Sequence, residues 1–243
     1  MSPYLVVLTA CIDPAKDNVV VRADPKVRLL DYQHGLSFWL NHPDPRLQRI
    51  LFVDNSGYPL DALKSLPGAD RVEFISLNCN SYPPENSYGY AEMKMIDLAL
   101  QQTGQQSTHI IKATGRLTFP GISHLLDSIP LSAQFAVDAR KWQTPWSRYK
   151  RPFIPTQLMV FQRGFYASHL QSSYEEMVGT DHWIESFLYE KLRLFRGGLM
   201  RFPVSADPVG MPAHRQESYT SGRQKAINRL RAAARVLAPH WWI

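Results

Sequence analysis

Three short apolar segments of this chain end in polar, small or charged residues, and chemistry is expected at those junctions. Residues 4–11 (YLVVLTAC) contain Thr9 and open into Asp13 and Pro14, and residues 49–54 (RILFVD) open into Asp54-Asn55-Ser56-Gly57. Residues 109–113 (HIIKA) close on Lys112 and continue as Thr114-Gly115-Arg116. When such segments are strands of an open α/β sheet, a ligand lies beyond their carboxyl ends. The acid and amides suit a base or ribose, the small residues allow close approach, and the two cations suit phosphate. The set fits a nucleotide-linked substrate. Each piece also has a plainer reading: Asp54-Asn-Ser-Gly is a good turn sequence, and Lys112 and Arg116 can be solvated charges beside a Thr-Gly turn. No Walker motif, GxGxxG after the first apolar segment, GxSxG or HExxH is present, which leaves the P-loop and Rossmann dinucleotide readings little support and removes the nucleophile-elbow and zincin readings.

The elements that must carry these junctions alternate between strand-like and helical patterns, which predicts an α/β fold with a mixed sheet flanked by helices. Further strands are expected at 71–77, 134–138, 157–161 and, shortest, 201–204. A helix is expected after Asp24, which can cap it, with Pro25 at the first position and Leu29, Tyr32, Leu36, Trp39 and Leu40 along one face. Two more are expected, at 90–102 and at 181–196. With 243 residues, 44% hydrophobic and 20% charged, the chain buries enough surface to fold without metal or disulfide. Cys11 and Cys79 show no metal-ligand spacing and read as buried thiols of a reducing compartment. No apolar run is long enough to span a bilayer and no export signal precedes residue 4, so a cytoplasmic protein is expected.

The order of the pieces adds what the pieces lack. A polar-ended strand, a helix, a strand ending in VDNSG, a third strand with an Asn-rich loop, the helix GYAEMKMIDLAL and the KATGRL segment together resemble the nucleotide-binding half of GT-A fold glycosyltransferases, especially the bacterial capsule and O-antigen types. The resemblance covers residues 4–122. It implies transfer of a sugar from a nucleotide-sugar donor to a glycan or lipid-linked acceptor. It also implies a single catalytic domain over 1–221, with a donor half over 1–122 and an acceptor half over 123–221. The residue matching the base- or ribose-binding acid is Asp54. Thr9, Asp13, Arg28, Asn55, Ser56, Thr114 and Gly115 are the further donor-binding candidates, with His214 in a late loop of the kind that closes over the donor. Where most of these enzymes place an Asp-x-Asp for a divalent metal, this sequence has Lys112-Ala-Thr-Gly-Arg116. Lys112 and Arg116, with Arg28 as a third cation, are therefore the expected stabilisers of the leaving phosphate, without a metal. Asp138-Ala-Arg140 keeps Mn or Mg open at a displaced site. Glu185 and Asp181, one turn apart at the head of a helix, are the candidates for the general base, against the plainer reading of a helix cap and a first-turn acid. Trp142, Trp146 and Tyr149 are candidates for a sugar platform, or for packing. A nucleotidyltransferase and a non-catalytic nucleotide-sugar-binding or membrane-scaffold protein are the alternatives.

The net charge of +6 is concentrated at one end: residues 222–243 hold five cations and no acid, while the other 221 residues hold 22 basic and 21 acidic side chains. Nucleic acid is not the expected partner, because no binding module accompanies the charge. A basic C-terminal helix is expected, with Ile227, Leu230, Ala234 and Leu237 on one side, followed by Trp241 and Trp242. Two readings stand: a helix lying peripherally on an anionic membrane, or one docking its apolar stripe on the body.

Overall fold

The computed structural model describes residues 3–14, 20–82, 88–140, 151–178, 183–212 and 218–237. The strands are β1 (Tyr4–Ala10), β2 (Ile50–Asp54), β3 (Val72–Ser76), β4 (His109–Thr114), β5 (Phe135–Ala136) and β6 (Leu158–Gln162), in the spatial order β3-β2-β1-β4-β6-β5. β1 to β4 are mutually parallel. β6 runs antiparallel to both β4 and β5, so β5 ends at the same edge as the parallel four. The helices are α1 (Pro25–Leu40), α2 (Asp61–Lys64), α3 (Tyr88–Gln102), α4 (Ile122–Ser128), α5 (Arg163–His169), α6 (Ile184–Leu192) and α7 (Gly222–Leu237). The α/β mixed sheet flanked by helices that the sequence predicts is thus the observed fold.

Every residue of β1 and β2 is buried, because helices cover both faces of the sheet. Strand alternation divides the core. Val6, Leu8, Phe52, Ile111 and Ala113 pack with α1 and α4, whereas Leu5, Val7, Leu51, Val53 and Ile110 pack with α3, α5 and α6. Asp24 caps α1 by accepting from the Lys26 amide at 2.8 Å, with Pro25 at the first position. Residues 201–204 form no strand. The available pairing is taken just before them, where the Leu199 amide donates to Phe135 O, the Val137 amide to Leu199 O and the Ala139 amide to Met200 O. Phe202 instead enters the α1-side core.

Two glycines set the close approaches that matter below. A Cβ on Gly35 would stand 2.1 Å from Gly115 O, so α1 lies directly on the turn that leaves β4. A Cβ on Gly89 would stand 2.4 Å from Ile184 Cβ, so the starts of α3 and α6 meet without a side chain between them. Among the described residues, no helix is long and apolar enough to cross a membrane.

Candidate functional site

The strand ends build two clusters, one on each face of the sheet. On the α1 face, Arg28 is 4% exposed. It donates from Nε to Cys11 O at 2.8 Å, from Nη1 to Arg22 O at 3.1 Å and from Nη2 to the Tyr32 hydroxyl at 3.3 Å. The same hydroxyl accepts from the Cys11 amide at 3.0 Å, which ties the loop after β1 to α1. Arg116, just past the end of β4, donates to Met211 O. Burial lowers the Arg116 pKa from its usual value, Tyr32 opposes that, and the neighbouring Arg28 charge adds to it. All the hydrogen-bond acceptors of these two guanidinium groups named above are neutral. The adjacent carboxylate, Asp31, is held by Arg22 at 2.6 and 2.9 Å. Two neighbouring cations with no carboxylate in contact among the described residues form an electropositive corner at the carboxyl edge of the sheet.

On the α3 and α6 face, Lys112 is 1% exposed, and its amine contacts Glu92 Oε1 at 2.7 Å and donates to Thr156 O at 2.5 Å. Thr9 donates to the same Glu92 oxygen at 3.1 Å. Glu185, on the first turn of α6, accepts from the Tyr88 hydroxyl at 2.8 Å through Oε1, while its buried Oε2 has no hydrogen-bond partner among the described residues. Burial raises the Glu185 pKa above the usual carboxylate range. The Tyr88 hydrogen bond opposes the rise, the Glu92 charge adds to it and Lys112 opposes it. The Gly89 contact with Ile184 is what brings Tyr88 and Glu185 together.

Lys112 and Arg116 therefore do not act as one pair. Residue 112 points to the α3 side by strand alternation, whereas residue 116 follows a turn that carries the chain over toward α1. The cation that accompanies Arg116 is Arg28. Asp54 is fully buried and serves the loops: Oδ1 accepts from the Ile12 amide at 2.8 Å, and Oδ2 accepts from the Ser56 amide at 2.9 Å, the Ser56 hydroxyl at 2.7 Å and the Tyr58 amide at 3.3 Å. Burial raises its pKa against these bonds. Ser56 Oγ also accepts from the Asp13 amide at 3.1 Å, and Asn80 donates to Asp13 O at 3.0 Å. Asn55 is buried, and its Oδ1 has no hydrogen-bond partner among the described residues. Thr114 and Gly115 hold the β4 exit through their amides, to Gln157 O and Thr9 O, each at 2.9 Å. Asp181, His214, Trp142, Trp146, Tyr149, Trp241 and Trp242 lie outside the described residues.

Asp138, the acid expected to keep Mn or Mg open at a displaced site, accepts from Arg235 Nη2 at 2.5 Å and from Arg140 Nη2 at 3.4 Å. Among the described residues, no three His, Cys, Asp or Glu side chains converge as a cation site. Sequence reasoning missed Glu92, Tyr88 and Tyr32. A signal for Glu92 was present: a lysine at an inward position of an apolar strand requires a carboxylate, and the helix before that strand carries two, Glu92 and Asp97.

No family model matches the chain, and no curated protein matches it. Among solved structures, a mannosyltransferase from Pyrobaculum calidifontis in complex with GDP-Man and Mn²⁺ is similar at 10% identity and a TM-score of 0.52, over 98% of this chain and 64% of that one. A 4-diphosphocytidyl-2C-methyl-D-erythritol synthase from Anaerococcus prevotii is similar at 11% identity and a TM-score of 0.48, over 93% and 95% of the two chains. At 10% identity the likeness to the mannosyltransferase is one of fold alone, and the fold is GT-A-like.

Proposed function

We propose that the protein is a cytoplasmic glycosyltransferase that moves a sugar from a nucleotide-sugar donor to a glycan or lipid-linked acceptor in surface polysaccharide synthesis. The observation that carries this reading is the Arg28 and Arg116 pair, two neighbouring cations with neutral hydrogen-bond acceptors at the sheet edge where such folds take their ligands. In the proposed reaction the bond between the sugar anomeric carbon and the donor phosphate breaks, and the phosphate leaves with the electron pair. A bond forms between that carbon and an acceptor oxygen, whose proton passes to a general base on the acceptor side; Glu185 is the candidate, reached across the carboxyl edge of the sheet from the two arginines. Arg28 and Arg116 offset the charge that develops on the leaving phosphate, in place of a divalent ion. Burial supports the base role, since it makes the Glu185 carboxylate a better proton acceptor than an exposed one. Lys112 has a positioning role: it fixes Glu92 and, through its charge, tempers the environment of Glu185.

The same cation pair suits the phosphates of a nucleoside triphosphate, so nucleotidyl transfer is the second reading. The test is thermal-shift titration with UDP-, GDP-, dTDP- and CMP-sugars and with nucleoside triphosphates, with and without chelator, followed by product analysis. One nucleotide-sugar family stabilises the protein regardless of chelator, and Arg116→Gln weakens that binding about 10- to 100-fold by removing charge-assisted hydrogen bonds. Pyrophosphate release with a sugar phosphate would establish the second reading instead. Binding without turnover would leave a sensor or scaffold, and no response to any nucleotide would overturn both transfer readings.

A further inference from the structure

The basic helix is docked the opposite way from an ordinary amphipathic helix. α7 meets the body through Gln224, Ile227, Asn228, Arg231, Ala234 and Arg235, all partly buried, and leaves Ala226, Leu230, Ala233 and Leu237 exposed. Those four recur at i, i+4, i+7 and i+11 and form one continuous stripe. Leu230 and Leu237 are 70% and 83% exposed, and the neighbouring Val236 is 80% exposed. Exposed Arg223 flanks the stripe on one side and exposed Lys225 and Arg229 on the other, and the helix contains no acid.

This orientation is pinned from the inner side. Arg235 donates to Asp138 Oδ1 at 2.5 Å and to Phe202 O at 2.6 Å, and its side chain is 6% exposed. Arg231 is turned inward near Arg140, Asp138 and Asp207, where burial first, and the Arg140 charge next, lower its pKa to about 10. Rolling the helix to bury Leu230 and Leu237 would withdraw Arg235 from Asp138 and leave a mostly buried carboxylate with one long contact to Arg140. The apolar stripe therefore stays outward.

We propose that this outward face of α7 docks on an anionic lipid bilayer. An apolar stripe flanked by cations is what a helix lying in a charged interface requires. A second copy of the chain suits it poorly, because two-fold pairing would bring together two copies of the same cation-flanked face, on which α7 has no acid to offset Arg223, Lys225 and Arg229. The stripe is also small. A helix of 16 residues is about 24 Å long, and its four apolar side chains fall short of the roughly 800 Å² per partner of a stable protein interface. The inference is independent of the transfer reaction, since it concerns only where the protein sits.

The test is flotation of the full chain with vesicles of phosphatidylglycerol and phosphatidylcholine in equal parts, and with phosphatidylcholine alone. The expected result is partition to the anionic vesicles only, weakening as salt rises. The triple variant R223Q/K225Q/R229Q should bind about 100-fold more weakly, near fivefold per cation, and L230E/L237E should not bind. All five side chains are exposed, so the thermal midpoints of both variants should match the parent. Three results would each overturn the proposal: no partition to anionic vesicles, undiminished binding by L230E/L237E, or a concentration-dependent dimer that L230E/L237E dissolves.

Discussion

Lys112→Met separates a buried structural amine from one that reaches out to a phosphate. In the folded protein the amine sits between Glu92 Oε1 at 2.7 Å and Thr156 O at 2.5 Å, in a residue 1% exposed. Methionine has a similar length and fits the apolar surroundings of Met93, Ile110 and Met159, so packing is largely kept. What is lost is the charge opposite Glu92 and the donor to Thr156 O. Removing one partner of a buried ion pair costs about 3–5 kcal/mol. The Glu92 side chain retains 18% exposure, so water recovers part of that and about 3 kcal/mol is the working figure. At roughly 2–4 °C per kcal/mol for a chain of this size, the thermal midpoint should fall by about 6–12 °C. Glu92→Met should cost a similar amount, because it strands the lysine. The double variant should recover about 2 kcal/mol, since neither charge is then left alone. Urea unfolding of the four proteins at neutral pH measures this cycle. If Lys112→Met falls within about 0.5 kcal/mol of the parent, or if the two single effects simply add, the pairing does not hold in solution and Lys112 is free to meet a ligand.

Two further outcomes follow from the geometry. The Glu185 pKa is raised on folding, so between its unfolded value, near 4.5, and its higher folded value the native state holds the proton more tightly, and stability falls as pH rises through that window. Glu185→Gln, whose amide oxygen can still accept from Tyr88, should therefore be more stable than the parent at neutral pH, with the gap closing below pH ~4.5. Unfolding curves across pH check this, and a gap that is constant with pH would refute it. Gly35→Ala would place a methyl group 2.1 Å from Gly115 O, backbone against backbone, so α1 must shift. A loss of about 3 kcal/mol in urea unfolding, together with weaker nucleotide binding as Arg28 moves with α1, is expected; an unperturbed variant would show that this contact is loose.

The fold was legible along most of its length because its signals are local. The apolar runs at β1, β2 and β4 and the Asp24-Pro25 start of α1 can be read without knowing what they touch, since burial of β-rich segments and capping chemistry depend on near neighbours in sequence. The strand ends were legible as polar junctions for the same reason. Their division of labour was not. Asp54 looks like a ligand contact and is instead the hub that gathers the Ile12, Ser56 and Tyr58 amides, which requires the loop after β1 to lie beside the turn after β2. Tyr32, read only as part of an apolar face, and Tyr88 hold Arg28 and Glu185 through hydroxyl groups.

By itself the sequence determined that a mixed α/β sheet forms, that its carboxyl edge is polar, and that a helix of cations ends the chain, because alternation, capping and net charge are properties of neighbouring residues. Only the tertiary structure decided which cations stand together and which face of the last helix meets water. Residues 112 and 116 are four apart in sequence and on different sides of a sheet, while residues 28 and 116 are brought together on one side of it by the contact of Gly35 with Gly115. Likewise α7 turns Arg231 and Arg235 inward, because Asp138, nearly one hundred residues away, holds Arg235 there. Coulomb and hydrogen-bond energies act over a few ångströms of space whatever the separation along the chain, and that distance is known only once the chain has folded.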